Sequence, residues 1–129
     1  MRNLLLFCSV IILAAASCTK EDLPAPAQNN LPVVFSSFSA SSQNGKVILQ
    51  FTTSEEKNLQ YFKIFSGDNG SQLCVIAQLT ATGNNNHSHT YLYEDDNPKG
   101  NPAYYMIGYV AGDSTLSFND QMLTVNIAP

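Results

Sequence analysis

The side chains best suited to chemistry in this chain are two histidines and two groups of carboxylates. His87 and His89 would face the same side of an extended segment, and histidine is a common metal ligand. Residues 94–97, Glu-Asp-Asp-Asn, offer the oxygen atoms that calcium prefers. Glu55 and Glu56 are adjacent carboxylates, and a pair of carboxylates can hydrolyse a glycosidic bond. Each pattern suggests a ligand or a reaction, and the spacing of its residues along the chain tests that suggestion.

None of these patterns has the spacing that its chemistry requires. The histidine pair has no third ligand at a recognisable distance along the chain, and the acidic run lacks the alternate spacing of a calcium loop. Adjacent carboxylates do not by themselves flank a glycosidic bond, which needs a pair about 5–5.5 or 6.5–9.5 Å apart in a cleft. The chain has no glycine-rich phosphate loop and no G-x-S-x-G motif. The sequence therefore predicts a protein that is not an enzyme and that holds no metal ion or cofactor.

The strongest chemical signal is a cysteine that follows a short apolar run at the start of the chain. Arg2 precedes apolar residues 4–16, and small residues lead directly to Cys18. The run is shorter than the roughly 20 residues of a membrane-spanning helix, so it is typical of a secretory signal peptide. The segment resembles the lipobox of bacterial lipoproteins. That resemblance implies cleavage of residues 1–17 and attachment of acyl chains, such as palmitate, to Cys18. The alternative is an ordinary cysteine at the end of an uncleaved apolar anchor.

The residues behind Cys18 indicate where an anchored protein would be displayed. Lys20, Glu21 and Asp22 resemble the lysine-plus-acidic export signal that some saccharolytic and gliding Gram-negative bacteria place behind the lipidated cysteine. The resemblance implies a lipid-anchored protein of the outer membrane at the cell surface, with a periplasmic location as the alternative. Three prolines and small polar residues follow, and they favour an extended tether. Residues 18–32 are therefore predicted to be the lipidated terminus and its tether.

Charge and cysteine content narrow the partners of the mature chain. The 129-residue chain has a net charge of −4, and loss of Arg2 with residues 1–17 would change it to −5. An acidic chain without a basic stripe is a poor partner for nucleic acid. Cys8 would leave with the signal peptide and Cys18 would carry lipid, so Cys74 would have no disulfide partner. The apolar neighbours of Cys74 predict that it is a small buried hydrophobe.

The chain beyond the tether has the periodicity of strands rather than of helices. Apolar residues alternate with polar ones, and Asn, Asp and Gly mark the turns. Residues 54–60 are predicted to be a loop turn. Seven short strands with no intervening helix predict an all-β fold, a single antiparallel seven-stranded sandwich of immunoglobulin or fibronectin III-like type over residues 33–128. The predicted strands are residues 33–40, 46–53, 62–65, 72–79, 89–93, 103–111 and 122–127.

Several segments of this region resemble a fibronectin type III-like module that is common in secreted proteins of the same bacteria. The similar segments are residues 44–58, 62–70, 91–98 and 104–107. Together they extend over most of the predicted sandwich. The resemblance implies a fibronectin III-like fold, and it implies a structural role for Asp95 in the turn before Pro98.

The chain departs from this module at three positions. Phe51 stands where the module usually has tryptophan, and Phe65 and Met106 stand where it has arginines. Phenylalanine in place of tryptophan still supplies an aromatic plug for the core. The resemblance therefore implies a divergent, stand-alone module. It also implies a corner tyrosine whose hydroxyl bonds nearby backbone, with Tyr105 as the first candidate and Tyr104 as the second.

Exposed aromatic side chains are the feature that a binding module would use. A small domain cannot bury all of its aromatic residues, and a planar row could stack on sugar rings or on a protein. The ordinary preference of aromatic residues for strands is the alternative interpretation. The candidate binding residues are Tyr61, Tyr91, Tyr93, Tyr104 and Tyr109, together with Phe65.

Two functions follow from these observations. The favoured one is a non-catalytic lipoprotein whose module contacts another envelope protein, and the alternative is a small glycan-binding surface lipoprotein in polysaccharide capture. A flat row of exposed tyrosines would favour the glycan, whereas an apolar patch or an exposed edge strand would favour the protein.

One further motif concerns modification. Residues 113–115, Asp-Ser-Thr, resemble the short acceptor sequence for O-glycosylation in the same bacteria. The resemblance implies a glycan on Ser114.

Overall fold

The computed structural model describes residues 31–129, and this part of the chain forms seven β-strands. The predicted signal peptide, the lipidation site Cys18 and the export signal Lys20, Glu21 and Asp22 lie outside the described residues. Residues 31–129 contain no helix long and apolar enough to cross a membrane. The strands are β1 (Val33–Gln43), β2 (Lys46–Glu56), β3 (Leu59–Asn69), β4 (Gln72–Thr80), β5 (His89–Asp95), β6 (Ala103–Ala111) and β7 (Leu116–Val125).

The strands form two antiparallel sheets that pack face to face. The first sheet has three strands in the order β1-β2-β5, and the second has four in the order β4-β3-β6-β7. All strand pairings within these sheets are antiparallel. This arrangement confirms the predicted all-β sandwich of immunoglobulin-like type.

Aromatic and aliphatic side chains from both sheets fill the space between them. Phe51 on β2 and Phe62 on β3 are fully buried, and their ring centroids lie 4.9 Å apart. Phe51 also stacks on Tyr91, with centroids 4.8 Å apart and an interplanar angle of 15°. Offset and edge-to-face aromatic contacts of this kind stabilise a core beyond the area they bury. Phe51 therefore supplies the aromatic plug that the sequence predicted.

Six of the seven strands differ from the sequence prediction in at least one boundary, and the differences at the β2–β3 turn and at the start of β7 are the most informative. Residues 54–60 were predicted to be a loop turn, but β2 continues to Glu56 and β3 begins at Leu59. The turn needs only two residues because Asn58 takes a positive φ of 46°. β7 begins at Leu116 rather than at residue 122, because its first half also pairs with β6.

The sandwich has two ends, which differ in the loops that they carry. The proximal end holds the β2–β3 turn, residues 81–88 and residues 112–115, and the backbone N–H of Lys57 donates to the carbonyl of Pro32 there (2.7 Å). The distal end holds the β1–β2 turn and residues 96–102, and the N–H of Gly45 donates to the carbonyl of Ala128 there (2.8 Å). The described chain therefore begins and ends at opposite ends of the sandwich.

Candidate interaction surface

The outer face of the four-stranded sheet carries a row of apolar side chains that crosses all four strands. Phe65 on β3 is paired with Val75 on β4 and with Met106 on β6, and Met106 is paired with Met122 on β7. Val75 is 49% exposed and Met122 is 42% exposed. We name these four residues the apolar ladder.

Two more apolar residues on β7 widen the ladder. Phe118 is 45% exposed, and its ring centroid lies 5.2 Å from that of Phe65. Gly108 lies beneath them, and a Cβ atom there would be 2.8 Å from the Phe65 ring and 3.1 Å from Leu116. Glycine at this position therefore allows Phe65 and Leu116 to lie over β6. The apolar ladder, Phe118 and Leu116 are together called the apolar face.

Apolar residues at these positions need an explanation, because the opposite side of each strand already supplies the core. Phe62 and Ile64 of β3 and Ile107 of β6 point inward and are fully buried. An antiparallel sheet packed on one side usually carries polar residues on its solvent side. A contiguous exposed apolar patch marks an interaction site in a soluble protein.

Charge sets the apolar face apart from the rest of the molecule. None of its six residues is charged, although the chain has a net charge of −4. Lys63 lies at its margin on β3, with Nζ 5.8 Å from the centroid of the Tyr61 ring. Exposed Asp120 lies between Phe118 and Met122 on β7, so a partner would meet apolar area at the centre of this surface and charge at its margin.

The outer face of the three-stranded sheet has the opposite character. Lys46 Nζ lies 2.9 Å from carboxylate oxygens of both Glu94 and Asp96, and the hydroxyls of Thr52 and Thr90 are 2.9 Å apart. The hydrogen bond from Lys46 is the main cause that lowers the pKa of Asp96. Apolar residues on this face stand among polar neighbours, and the most exposed of them is Leu92, at 62%.

Two of the candidate binding tyrosines lie in the core. Tyr91 and Tyr109 are 8% and 7% exposed, so their prediction as exposed binding residues is wrong. Tyr91 packs against Phe51 and Phe62, with ring centroids 4.8 Å apart in both pairs, and the Tyr109 ring lies 5.9 Å from that of Phe35. Tyr93 is half-buried and packs against the core.

The remaining candidates do not form a row of tyrosines. Tyr61 and Tyr104 are half-buried on the outer face of the four-stranded sheet. Tyr104 is paired with Gly67, six positions along β3 from Tyr61, which corresponds to about 20 Å. Phe65 does lie on the outer face, where it is part of the apolar ladder.

Tyr105 lies at the distal end, and the prediction that its hydroxyl bonds nearby backbone is wrong. Its buried hydroxyl donates to Oδ2 of Asp95 (2.7 Å), so its partner is a side chain rather than the backbone. Oδ1 of Asp95 accepts the backbone N–H of Asn97 (3.1 Å). Burial, followed by the hydrogen bond to Asp95, raises the pKa of Tyr105. Asp95 thus has the structural role in its turn that the family resemblance implied.

The adjacent glutamates have different environments. Glu55 forms an ion pair with Lys57 (2.9 Å), whereas Glu56 is 2% exposed. Oε1 of Glu56 accepts hydrogen bonds from the hydroxyls of Tyr91 (2.6 Å) and Thr53 (2.8 Å). No feature of the sequence around Glu56 predicts that its carboxylate is buried.

The second carboxylate oxygen of Glu56 is equally engaged. Oε2 accepts the hydroxyl of Thr82 (2.6 Å) and its backbone N–H (3.0 Å). Burial alone would raise the pKa of Glu56, but the hydrogen bonds from Thr82, Tyr91 and Thr53 outweigh burial and lower it. Burial and the hydrogen bond to Glu56 raise the pKa of Tyr91 to about 12. This carboxylate is therefore held ionised inside the fold, and its oxygens are directed at the protein itself.

The histidines and glutamates considered for chemistry meet at the proximal end. His87, Glu55 and Glu56 line a groove of about 420 Å³. The ring of His89 instead packs edge-on against Tyr91, with centroids 4.6 Å apart. Within residues 31–129, no group of three or more His, Cys, Asp or Glu residues is placed to hold a metal ion. The groove contains carboxylates that are already paired with Lys57 or with hydroxyl groups.

Cys74 and Ser114 lie on the surface. Cys74 is exposed, so its prediction as a buried hydrophobe is wrong. The reason is that β4 is an edge strand, which has a neighbour on one side only. Ser114 is exposed in the β6–β7 turn with a positive φ of 67°. Oδ1 of Asp113 accepts the backbone N–H of Thr115 beside it (3.0 Å), and this bond is the main cause that lowers the pKa of Asp113.

Comparison with known proteins identifies no relative of this chain. No protein-family model matches it, and neither a curated protein nor a solved structure does. Inferences about function therefore depend on the residues and on the surfaces that the fold creates.

Proposed function

We propose that this chain is a non-catalytic, membrane-anchored lipoprotein whose fibronectin III-like sandwich contacts another envelope protein. The observation that carries the proposal is the apolar face, six uncharged residues that the four strands of one sheet hold side by side. Interfaces of this kind have an apolar centre and a polar rim. The polar outer face of the other sheet leaves the apolar face as the better docking surface.

The composition of the apolar face favours a protein over a glycan. Sugar rings stack on flat rows of exposed aromatic rings, but Tyr91 and Tyr109 are buried and Tyr61 and Tyr104 are about 20 Å apart. Methionine and phenylalanine, which dominate the apolar face, are typical of the centre of protein interfaces. Methionine also adapts its shape to a partner.

The surroundings of Glu56 support a role without catalysis. A catalytic carboxylate must reach a substrate or a proton that moves during the reaction. Both oxygens of Glu56 already accept hydrogen bonds from within the fold. Asp95 at the distal end is likewise bonded to Tyr105.

Membrane attachment is proposed from the first 22 residues, through lipid on Cys18 and display at the cell surface directed by Lys20, Glu21 and Asp22. Two or more acyl chains give stable anchoring, whereas one is marginal. Lys57 fixes Pro32 at the proximal end. The strands would then project away from the membrane, and the apolar face would be open to neighbours in the same envelope.

The contact is tested by cross-linking the full chain to its neighbours in intact envelopes. Phe118→Asp places a charge in the apolar face, and we expect it to reduce recovery of the cross-linked partner at least about tenfold. Leu92→Asp is the matched control, because Leu92 is an exposed apolar residue on the other sheet. Equal recovery with both variants, or specific retention of the wild-type protein on a glycan array, would contradict the proposal.

The anchor is tested separately by intact-mass analysis and membrane fractionation. We expect a mature protein that begins at Cys18, carries acyl chains and is removed from intact cells by an added protease. Cys18→Ala should remain uncleaved and unacylated. An unmodified wild-type polypeptide in the medium would rule out the anchor and leave the interaction surface to be judged by its own experiment.

A further inference from the structure

We propose that β4 pairs with the β4 strand of a second copy of this chain. The two strands would run antiparallel about a two-fold axis and join both four-stranded sheets into one sheet of eight strands. This inference goes beyond the proposed function, because it concerns the free edge of β4 rather than the outer apolar face of the sheet.

The first observation is that β4 lies at the end of its sheet. Within the described strands, β4 pairs with β3 and has no strand on its other side. An edge strand presents a row of backbone N–H and C=O groups that an additional extended strand can satisfy. A β-strand is therefore the kind of partner that this edge can bind.

The second observation is that β4 carries neither a charge nor a proline to block its edge, although its register with β3 shifts between Ile64 and Phe65. Its nine residues, Gln-Leu-Cys-Val-Ile-Ala-Gln-Leu-Thr, include no charge and no proline. β5, the corresponding edge of the other sheet, carries His89, Glu94 and Asp95. Charged side chains and proline are the common means by which proteins block pairing at an edge. On the opposite side of the sandwich, β1 and β7 contact each other, and Gln121 Nε2 donates to the carbonyl of Phe38 (3.3 Å).

The third observation concerns which strand fits this edge. The chain is acidic, so two copies repel each other over most of their surfaces. β4 and the adjoining apolar ladder carry no acidic residue, so two copies can approach closely there. A second β4 has the same length and the same lack of charge, and a two-fold axis lets identical strands pair in antiparallel fashion.

The apolar ladder selects the register of this pairing. Val75 is the member of the ladder on β4, and it stands on the outer face beside the register shift at Ile76. An axis at Val75 places the two copies of this residue directly opposite each other, with Cβ atoms about 4.5–5.5 Å apart. The two ladders would then form one continuous apolar row across the joined sheet. In any other register Val75 would lie opposite a different residue of β4, and the two ladders would not meet in one row.

The register is tested with a cysteine at the proposed axis. Val75→Cys, in the full chain carrying Cys74→Ser, should form an interchain disulfide under mild oxidation, because opposed residues in antiparallel strands have the required separation. Leu92→Cys in the same background is the matched control. A disulfide that is no more abundant in the Val75→Cys protein than in the control would overturn the proposed register.

Association itself is tested by sedimentation equilibrium of the full chain in detergent. We expect a concentration-dependent dimer, a dissociation constant at least tenfold larger for Val75→Lys, and no change for Leu92→Lys. Hydrogen exchange of the β4 amides should slow as the dimer forms. A wild-type chain that is monomeric throughout, or a dimer that survives Val75→Lys, would overturn the inference.

These outcomes are distinct from those that test the proposed function. Phe118 lies on β7, far from the paired edge in strand order, so Phe118→Asp should leave the dimer intact. A monomeric wild-type protein that still captures an envelope partner through Phe118 would reject the dimer and retain the proposed function.

Discussion

The two ends of the sandwich each bury a carboxylate against a tyrosine, but they satisfy it to different extents. At the proximal end, Glu56 accepts the Tyr91 hydroxyl and three further hydrogen bonds, and it is 2% exposed. At the distal end, Asp95 accepts the Tyr105 hydroxyl and one backbone N–H, and it is 9% exposed.

The difference shows what a buried charge needs when no cation is present. Transfer of a carboxylate out of water costs several kcal/mol, by order of magnitude, unless donors replace the lost water. Glu56 has enough protein donors to stay ionised in the interior, whereas Asp95 remains closer to solvent. Each buried carboxylate also has an exposed neighbour of the same type, Glu55 and Asp96, which serves as a matched control.

The largest effect is expected from Glu56→Gln. The amide has one acceptor oxygen in place of two, and its NH₂ group faces hydroxyls that now lack a carboxylate. Each buried donor left unsatisfied costs about 1–3 kcal/mol, so the free energy of unfolding should fall by roughly 3 kcal/mol. Urea unfolding measures it, and Glu55→Gln should change it by no more than about 0.5 kcal/mol. Equal losses in both variants would remove the distinction between the two glutamates.

A smaller effect is expected from Asp95→Asn. The amide oxygen can still accept the Tyr105 hydroxyl, but the bond is no longer assisted by charge. The free energy of unfolding should fall by roughly 1–2 kcal/mol, because bonds to charged groups are worth more than bonds to neutral ones. Asp96→Asn should leave the urea midpoint unchanged. A loss for Asp95→Asn as large as that for Glu56→Gln would show that the two ends do not differ.

Removal of each tyrosine hydroxyl compares the ends directly. Tyr105→Phe removes the hydroxyl donor from Asp95, whereas Tyr91→Phe leaves Glu56 with Thr53 and Thr82. We therefore expect the free energy of unfolding to fall by about 1.5 kcal/mol in Tyr105→Phe and by about 1 kcal/mol or less in Tyr91→Phe, as measured by thermal or urea unfolding. A larger loss for Tyr91→Phe than for Tyr105→Phe would show that the hydrogen bonds from Thr53 and Thr82 do not compensate for the missing hydroxyl.

Acidification should affect the proximal end in a defined direction. The folded-state pKa of Glu56 lies below its usual value, so its stabilising effect is present above the unfolded pKa of about 4.3 and is lost as the pH falls through the folded value. The difference in unfolding free energy between the wild type and Glu56→Gln should therefore narrow below that pH. A difference that stays constant from neutral pH down to pH 2 would show that the hydrogen bonds do not depress the pKa.

The smallest effect is expected at the surface of the three-stranded sheet. Lys46 bridges Glu94 and Asp96, and their hydrogen bonds and charge raise its pKa. Exposed ion pairs contribute little, because solvent screens them. Lys46→Ala should leave the urea midpoint unchanged. A clear shift of the midpoint would contradict this prediction, because it would show that the exposed ion pair stabilises the fold.

The strands were predictable from the sequence because the alternation of apolar and polar residues is local. The burial of Glu56 was not predictable. Glu56 is buried because it meets Thr82 and Tyr91, which are 26 and 35 positions away along the chain. The alternation of residues along a strand does not show which distant residues will meet in the fold. The first half of β7 was missed for a similar reason, since its strand geometry depends on pairing with β6.

The apolar face left one signal in the sequence. In the proposed fibronectin III-like module, Phe65 and Met106 would stand at arginine positions, and the structure pairs them at the centre of the apolar ladder. The loss of two charges at neighbouring positions could have indicated an apolar surface. Val75 and Met122 could not have been added to it, because their positions depend on the register of four strands.

The first and last described residues lie at opposite ends of the sandwich, and this arrangement also determines how residues 31–129 would respond to mechanical force. β1 leads away from the proximal end and β7 leads toward the distal end, so tension between Leu31 and Pro129 would act parallel to both strands. The hydrogen bonds that join β1 to β2 and β7 to β6 would then be loaded together in shear instead of being peeled apart one at a time.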